Sequence, residues 1–240
     1  MHLATHDLAK RYDNFELSIP DLSVGSGTVF GLVGNNGAGK TTFLRLVLDL
    51  IRADAGTVQL DGEVVADTFD WKTRTGSYLG PSFLIDFLTP DEYWHFVGQT
   101  YDLDEATVNE RLQAFTDFYV DEPIGDTTKY IRDLSTGNKN KAGLIAALLP
   151  EPDLLVFDEP FASLDPRSQI QLKELIQKRQ GDATMLISSH DLGHVTDVSD
   201  RIAILEDGKI VRDEPTDPDT LEELTTYFAE TIRPKEEAVA

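Results

Sequence analysis

A glycine-rich stretch near the N-terminus constrains the fold of this chain more than any other feature. Residues 34–42 read Gly-Asn-Asn-Gly-Ala-Gly-Lys-Thr-Thr, between the apolar run Val29–Val33 and a helix-like stretch at 43–48. The pattern G-x-x-x-x-G-K-[ST] between a strand and a helix is typical of a phosphate-binding loop. Its glycines let backbone N–H groups point inward at a helix start, where the helix dipole favours an anion. The sequence therefore predicts a nucleoside triphosphate site.

The end of this loop carries the polar side chains that such a site needs. We expect Lys40 to reach the β- and γ-phosphates and the hydroxyl of Thr41 to bind Mg²⁺. The predicted nucleotide contacts in the loop are Gly34, Asn35, Asn36, Gly37, Ala38, Gly39, Lys40, Thr41 and Thr42.

Two further apolar runs end in polar residues. The run at 154–157 is followed by Asp158 and Glu159, and the run at 184–187 by Ser188, Ser189 and His190. Parallel strands present their carboxyl ends to the ligand at one edge of the sheet. We expect Asp158 to hold Mg²⁺ and Glu159 to polarise the attacking water, with His190 at the same edge.

Together these residues resemble the motifs of the ATP-binding cassette (ABC) ATPases, in family order, over roughly residues 3–212. The stretch at 34–42 matches the Walker A loop and the stretch at 134–138 the signature motif. The remaining correspondences are the Walker B aspartate Asp158, the catalytic glutamate Glu159, the D-loop aspartate Asp165, the switch histidine His190 and the adenine-stacking aromatic Tyr12. For Tyr12, ordinary packing beside a strand is the alternative.

The residue types of the signature stretch also predict an anion-binding site, independently of the resemblance. Ser135 and Gly137 lie directly before a helix-like stretch that begins at Lys139 and that Pro150 ends. A helix N-terminus offers free N–H groups. The predicted nucleotide contacts here are Ser135, Gly137 and Asn138, and the resemblance adds Asp165 of the D-loop. One chain with two phosphate sites suggests that ATP is held between two chains, in a homodimer or a heterodimer with a related ATPase.

Two positions depart from the family pattern. Asn138 stands where the signature commonly has Gln, and it keeps the amide. Gly80 occupies the position of the Q-loop glutamine, which normally helps to hold Mg²⁺ and the water. We expect that the missing side chain slows hydrolysis, or that Ser82 or a water replaces it.

Composition limits the partners. The 240 residues include 21 Lys and Arg against 43 Asp and Glu, a net charge of −22, and no Cys. This balance argues against binding to nucleic acid, which needs a basic surface, and against direct docking on anionic lipid. The acidity fits a solubilising surface or, alternatively, a salt-rich cytosol. No apolar stretch approaches the ~20 residues of a membrane span, so we expect a cytoplasmic protein. The resemblance implies that it is peripheral at the inner face of the cell membrane through membrane subunits.

The patterning predicts an α/β fold, and the resemblance implies a P-loop NTPase of the ABC type. We expect a mixed, largely parallel sheet with an antiparallel β layer and an inserted α-helical subdomain at about 81–145. The ATPase domain would span 1–213, closed by a hairpin across Asp207-Gly208, and residues 214–240 would form a short helix and an acidic tail.

An apolar run follows Gly80, and it consists of Phe83, Leu84, Ile85 and Phe87. In the resembled transporters this region receives a helix of the membrane subunit, so we interpret the run as a binding surface for that subunit. Packing within the helical subdomain is the alternative. The resemblance implies that the chain is the Mg-dependent ATPase subunit of an ABC transporter, and it favours export over import. The alternative function is that of a soluble ABC ATPase that drives protein or cofactor assembly, of the iron–sulfur type.

Overall fold

The structure, a computed structural model, describes residues 1–232 of the chain. Within these residues the chain forms two β-sheets and seven α-helices. None of those helices is both long and apolar enough to cross a membrane.

The smaller sheet is antiparallel and has four strands in the order β2-β1-β4-β5. Its strands are β1 (Leu3–Tyr12), β2 (Phe15–Val24), β4 (Ala55–Leu60) and β5 (Glu63–Val64). Alternate side chains of β1 and β2 are buried, which is the period of a sheet with one face on a core. The predicted antiparallel layer is thus present.

The larger sheet has six strands in the order β10-β9-β3-β8-β7-β6. All of them are parallel to their neighbours except β10, which pairs antiparallel with β9. Its strands are β3 (Val29–Val33), β6 (Thr75–Tyr78), β7 (Leu154–Asp158), β8 (Thr184–Ser189), β9 (Arg201–Glu206) and β10 (Lys209–Pro215). Because β3, β8 and β7 are neighbours, the residues that follow them meet at one edge.

The helices flank and join the sheets. Helix α1 lies in the core shared by both sheets, since Phe43 and Val47 cluster with Leu3 of the small sheet and Leu154 of the large one. The helices are α1 (Lys40–Val47), α2 (Pro90–Thr100), α3 (Glu105–Leu112), α4 (Thr136–Leu148), α5 (Pro166–Arg179), α6 (Leu192–Thr196) and α7 (Thr220–Ile232). Helices α2 to α4 all lie between β6 and β7, in the stretch where the sequence predicts a helical subdomain.

The predicted α/β class is confirmed by this topology, while some elements differ from expectation. Strand β6 was missed, because its sequence Thr-Gly-Ser-Tyr has little apolar pattern and pairing with β7 makes it a strand. Helix α4 begins at Thr136, three residues before the predicted start, because Ser135 caps it. Helix α7, with 13 residues, is longer than the short helix predicted within 214–240, and residues 233–240 of the predicted tail lie outside the described residues.

Candidate active site

The phosphate-binding loop joins the end of β3 to the start of α1. A Cβ on Gly34 would lie 2.3 Å from the carbonyl oxygen of Leu205, so only glycine fits there. Gly39 has a φ of 109° and precedes α1, and a Cβ on it would lie 2.8 Å from the ring of Phe15. Both glycines are thus required by the path of the loop.

Lys40 is the first residue of α1, and its buried side chain folds back onto the loop. Its ammonium donates to the carbonyl of Gly34 at 2.6 Å and lies 3.2 Å from Oε1 of Glu159. Only 6% of its side chain is exposed. The ammonium of Lys40 is therefore a buried charge that lies between the loop and the residue after β7, paired with a carboxylate.

Asp158 and Glu159 point in different directions although they are adjacent. Asp158 ends β7 and accepts hydrogen bonds at 2.5 Å from the hydroxyls of Thr41 and Ser188, one on each carboxylate oxygen. Glu159 has a φ of 52°, a left-handed conformation that turns the chain after the strand. Because of this turn, the carboxylate of Asp158 contacts Thr41 while the carboxylate of Glu159 contacts Lys40.

His190 completes the group by holding the second oxygen of Glu159. Its Nδ1 lies 2.8 Å from Oε2 of Glu159, and its backbone N–H donates to the same oxygen at 3.3 Å. The other oxygen, Oε1, is buried and makes no hydrogen bond within the described residues, with Lys40 as its ion-pair partner. Lys40, Glu159 and His190 are thus brought together from three strand ends.

Thr41 and Asp158 fit the binding of Mg²⁺. Their side-chain oxygens lie in contact, and hydroxyl and carboxylate oxygens are the ligands that Mg²⁺ takes beside nucleotide phosphates. Both lie next to the loop, so the donor set stands where a nucleotide-associated ion would need it. Their assignment as metal ligands remains a prediction.

A cleft of about 280 Å³ opens beside the loop. Tyr12 and Phe15 form one wall, with ring centroids 6.4 Å apart, and Tyr12 is 51% exposed. The remaining lining residues are Asn35, Asn36, Gly37, Gly39, Lys40, Thr41, Thr42 and Glu159. Sequence reasoning missed Phe15, although a two-residue turn pairs it with Tyr12 across the β1–β2 hairpin.

The signature residues lie elsewhere in the same chain. Ser135 caps α4 by accepting from the N–H of Asn138 at 3.3 Å, and a Cβ on Gly137 would lie 2.9 Å from the carbonyl of Ser163. Among the described residues that line the cleft there is none from 134–138. The sequence-predicted residues therefore form two groups in one chain.

Asp165 belongs to the second group and caps α5. It accepts from the hydroxyl of Ser168 at 2.6 Å and from its N–H at 3.1 Å. The Ser168 hydroxyl bond is the main reason that the pKa of Asp165 is lowered. Lys141 of α4 lies 3.7 Å from the same carboxylate, so Asp165 adjoins the signature helix.

The apolar run after Gly80 is divided between the surface and the interior. Phe83 is 50% and Phe87 62% exposed, whereas Leu84 and Ile85 are partly buried. The structure thus supports a surface role for the two phenylalanines and a packing role for Leu84, which lies against Gly143 of α4.

Gly80 lies at the edge that carries Asp158 and Glu159. Tyr78 is in register with Phe157, which places Gly80 two residues beyond the paired strand end. Its φ of 103° and ψ of 167° belong to a region that essentially only glycine adopts, and a Cβ there would meet nothing within 4 Å. Conformation, and not space, therefore selects glycine at this position.

Restoring the family glutamine by Gly80→Gln is expected to destabilise the protein. The side chain has room, but the backbone must leave its conformation or be strained, which costs about 1–3 kcal/mol of unfolding free energy. Urea denaturation measures this, with Ser82→Gln at the neighbouring exposed position as the control. A Gly80→Gln protein as stable as the wild type would contradict the backbone argument.

Residues 17–162 match the family model described as ABC transporter. An uncharacterized ABC transporter ATP-binding protein of Synechocystis is 34% identical over 79% of this chain and 54% of its own length. A Nod factor export ATP-binding protein I of Ralstonia nicotianae is 33% identical over 89% and 67%. A probable sulfate/thiosulfate import ATP-binding protein of Chlorella vulgaris is 28% identical over 88% and 90%.

A solved structure entitled as the ATP-binding subunit of an ABC transporter superposes on this chain with a TM-score of 0.83. The two sequences are 25% identical, and the superposition covers 97% of this chain and 100% of the solved chain. The chain spans about half the length of the first curated relatives that it matches.

Proposed function

This chain belongs to the ABC transporter family, and from that premise we propose that it binds ATP with Mg²⁺ and hydrolyses it to drive transport through separate membrane subunits. The observation that carries the proposal is the state of Glu159. One of its oxygens is fixed by His190, and the other is buried beside Lys40 without a hydrogen bond. A carboxylate held in this way can accept a proton from a water next to the phosphate-binding loop.

Each residue of the group then has a role in phosphoryl transfer. Lys40 neutralises charge on the β- and γ-phosphates, Glu159 orients the attacking water, and His190 fixes Glu159. Thr41 and Asp158 would hold Mg²⁺, which when bound neutralises charge on the phosphate oxygens. Tyr12 and Phe15 offer aromatic surface for the adenine at the wall of the cleft.

We propose that two chains complete each site. Ser135, Gly137 and Asn138 do not line the cleft of their own chain, which supports a contact with nucleotide across a dimer. In such a dimer the helix start of α4 faces the phosphates bound by the partner's loop. ATP would then close the dimer and hydrolysis would open it.

Membrane subunits are the proposed partners, and export is the proposed direction. The exposed Phe83 and Phe87 supply an apolar surface for a partner. The direction rests on names alone: the relative named for export is 33% identical, and the one named for import 28%.

Lys40→Ala tests the nucleotide site most directly. We expect ATP affinity to fall on the order of a hundredfold, because the buried ammonium is the cation within the loop and its removal leaves the phosphates uncompensated. Titration with a fluorescent ATP analogue measures this.

Lys209→Ala, which removes an exposed lysine from β10, is the control. ATP binding by Lys40→Ala at wild-type affinity would contradict the proposed site.

A further inference from the structure

We propose that Asn140 is a positioning residue, which ties the loop after Glu159 to the segment that contains Gly80. The proposal rests on the ATPase function proposed above. It adds a buried link, Tyr78–Asn140–Ala162, between three parts of the chain that adjoin the active site.

The link consists of two short hydrogen bonds through one amide. The hydroxyl of Tyr78 donates to Oδ1 of Asn140 at 2.6 Å, and Nδ2 of Asn140 donates to the carbonyl of Ala162 at 2.6 Å. Tyr78 and Asn140 are both 3% exposed. Buried polar groups that are satisfied in this way hold their neighbours in one arrangement, because breaking either bond leaves an unpaired polar atom.

Each end of the link adjoins an active-site segment. Tyr78 is the last residue of β6, two residues before Gly80. Ala162 lies in the loop that follows Glu159, and its N–H donates to the carbonyl of Glu159 at 3.1 Å. Asn140 itself lies in the second turn of α4, the helix that Ser135 caps.

The loop after β7 needs such an anchor. Glu159 and Ser163 have φ values of 52° and 60°, so two non-glycine residues of one short loop are left-handed. Such residues persist only where the surroundings fix them. The bond from Asn140 to Ala162 lies between these two positions, so we infer that it maintains the turn that aims Glu159.

A glycine allows β6 to reach Asn140. A Cβ on Gly143, one turn after Asn140, would lie 2.6 Å from the ring of Tyr78 and 2.9 Å from Leu84. The absence of a side chain therefore lets Tyr78 and Leu84 pack on α4 at the same point. Leu84 of the apolar run and Tyr78 of the link thus pack at the same glycine of α4.

Tyr78→Phe tests the link with the smallest change. It keeps the ring and removes only the hydroxyl, so we expect kcat for ATP hydrolysis to fall about three- to tenfold with little change in KM. Tyr101→Phe is the matched control, because the hydroxyl of Tyr101 donates to the backbone of Thr75 at the other end of β6. The control is expected to keep wild-type kcat.

Hydrogen–deuterium exchange of the nucleotide-free protein gives a second readout, independent of ATPase activity. Asn140→Leu, which is close in volume and removes both bonds, should speed exchange of residues 159–165, measured well below its melting temperature. Unchanged exchange there, or an equal loss of kcat in Tyr78→Phe and Tyr101→Phe, would overturn the link. A wild-type protein without ATPase activity would overturn the proposed function, and exchange would still decide the link.

Discussion

Glu159→Gln is expected to abolish ATP hydrolysis while ATP binding persists. The amide cannot take the proton of the attacking water, and a positioned general base contributes about 10²- to 10⁴-fold to a rate. The substitution also removes the carboxylate that lies 3.2 Å from Lys40, so that lysine becomes freer to pair with phosphates. We therefore expect ATP affinity at least equal to that of the wild type.

The same variant should accumulate as a dimer with Mg-ATP. If two chains enclose the nucleotide and hydrolysis opens them, a protein that binds but does not hydrolyse remains closed. Size-exclusion chromatography with light scattering measures the mass, and phosphate release measures the rate.

Glu206→Gln is the matched control for this experiment. Glu206 ends β9, next to β3 in the same sheet, so it is an acid at the same edge without a place in the proposed group. It should keep both activity and oligomeric state. Wild-type hydrolysis by Glu159→Gln, in a protein that stays monomeric, would contradict the assignment.

Phe83→Asp and Phe87→Asp are expected to abolish association with a membrane subunit and to leave the isolated protein folded. Both rings are at least half exposed, so a carboxylate in their place remains hydrated in the free protein. In a complex it would lose this hydration, which is costly for a charged group. Loss of a ring worth about 1.5–3 kcal/mol already weakens binding by roughly ten- to a hundredfold.

The experiment is co-purification with a co-expressed membrane subunit, together with thermal unfolding of each variant. Val211→Asp is the control, because Val211 is also exposed but lies on β10, at the opposite edge of the sheet from β6. Leu84→Asp should instead lower the melting temperature, since Leu84 packs at Gly143. Phe83→Asp and Phe87→Asp proteins that still co-purify would contradict the partner surface.

Much of the candidate site could be predicted from contiguous residues. The loop at 34–42 needs its glycines and a following helix, and the residues that meet this requirement are neighbours in the sequence. The same holds for Asp158 and Glu159 after an apolar strand, and for the hairpin at Asp207-Gly208, where both turn residues have positive φ.

Other features escaped prediction because distant segments create them. Strand β6 exists because it pairs with β7, and Phe15 lies at the cleft because it packs on Gly39. For β6, neither residue type nor local spacing carries that information. The split of the apolar run into exposed phenylalanines and a packed Leu84 likewise depends on where α4 lies.

The sequence by itself therefore determined the phosphate loop, the class of fold and the acidic residues at the strand ends, because each depends on backbone conformation and polarity over a few neighbouring residues. Only the tertiary structure decided that His190 holds Glu159 against Lys40, that Gly80 needs a glycine conformation, and that Asn140 joins Tyr78 to Ala162. These contacts join residues far apart in the chain. Strand order and helix packing alone bring them within hydrogen-bond distance.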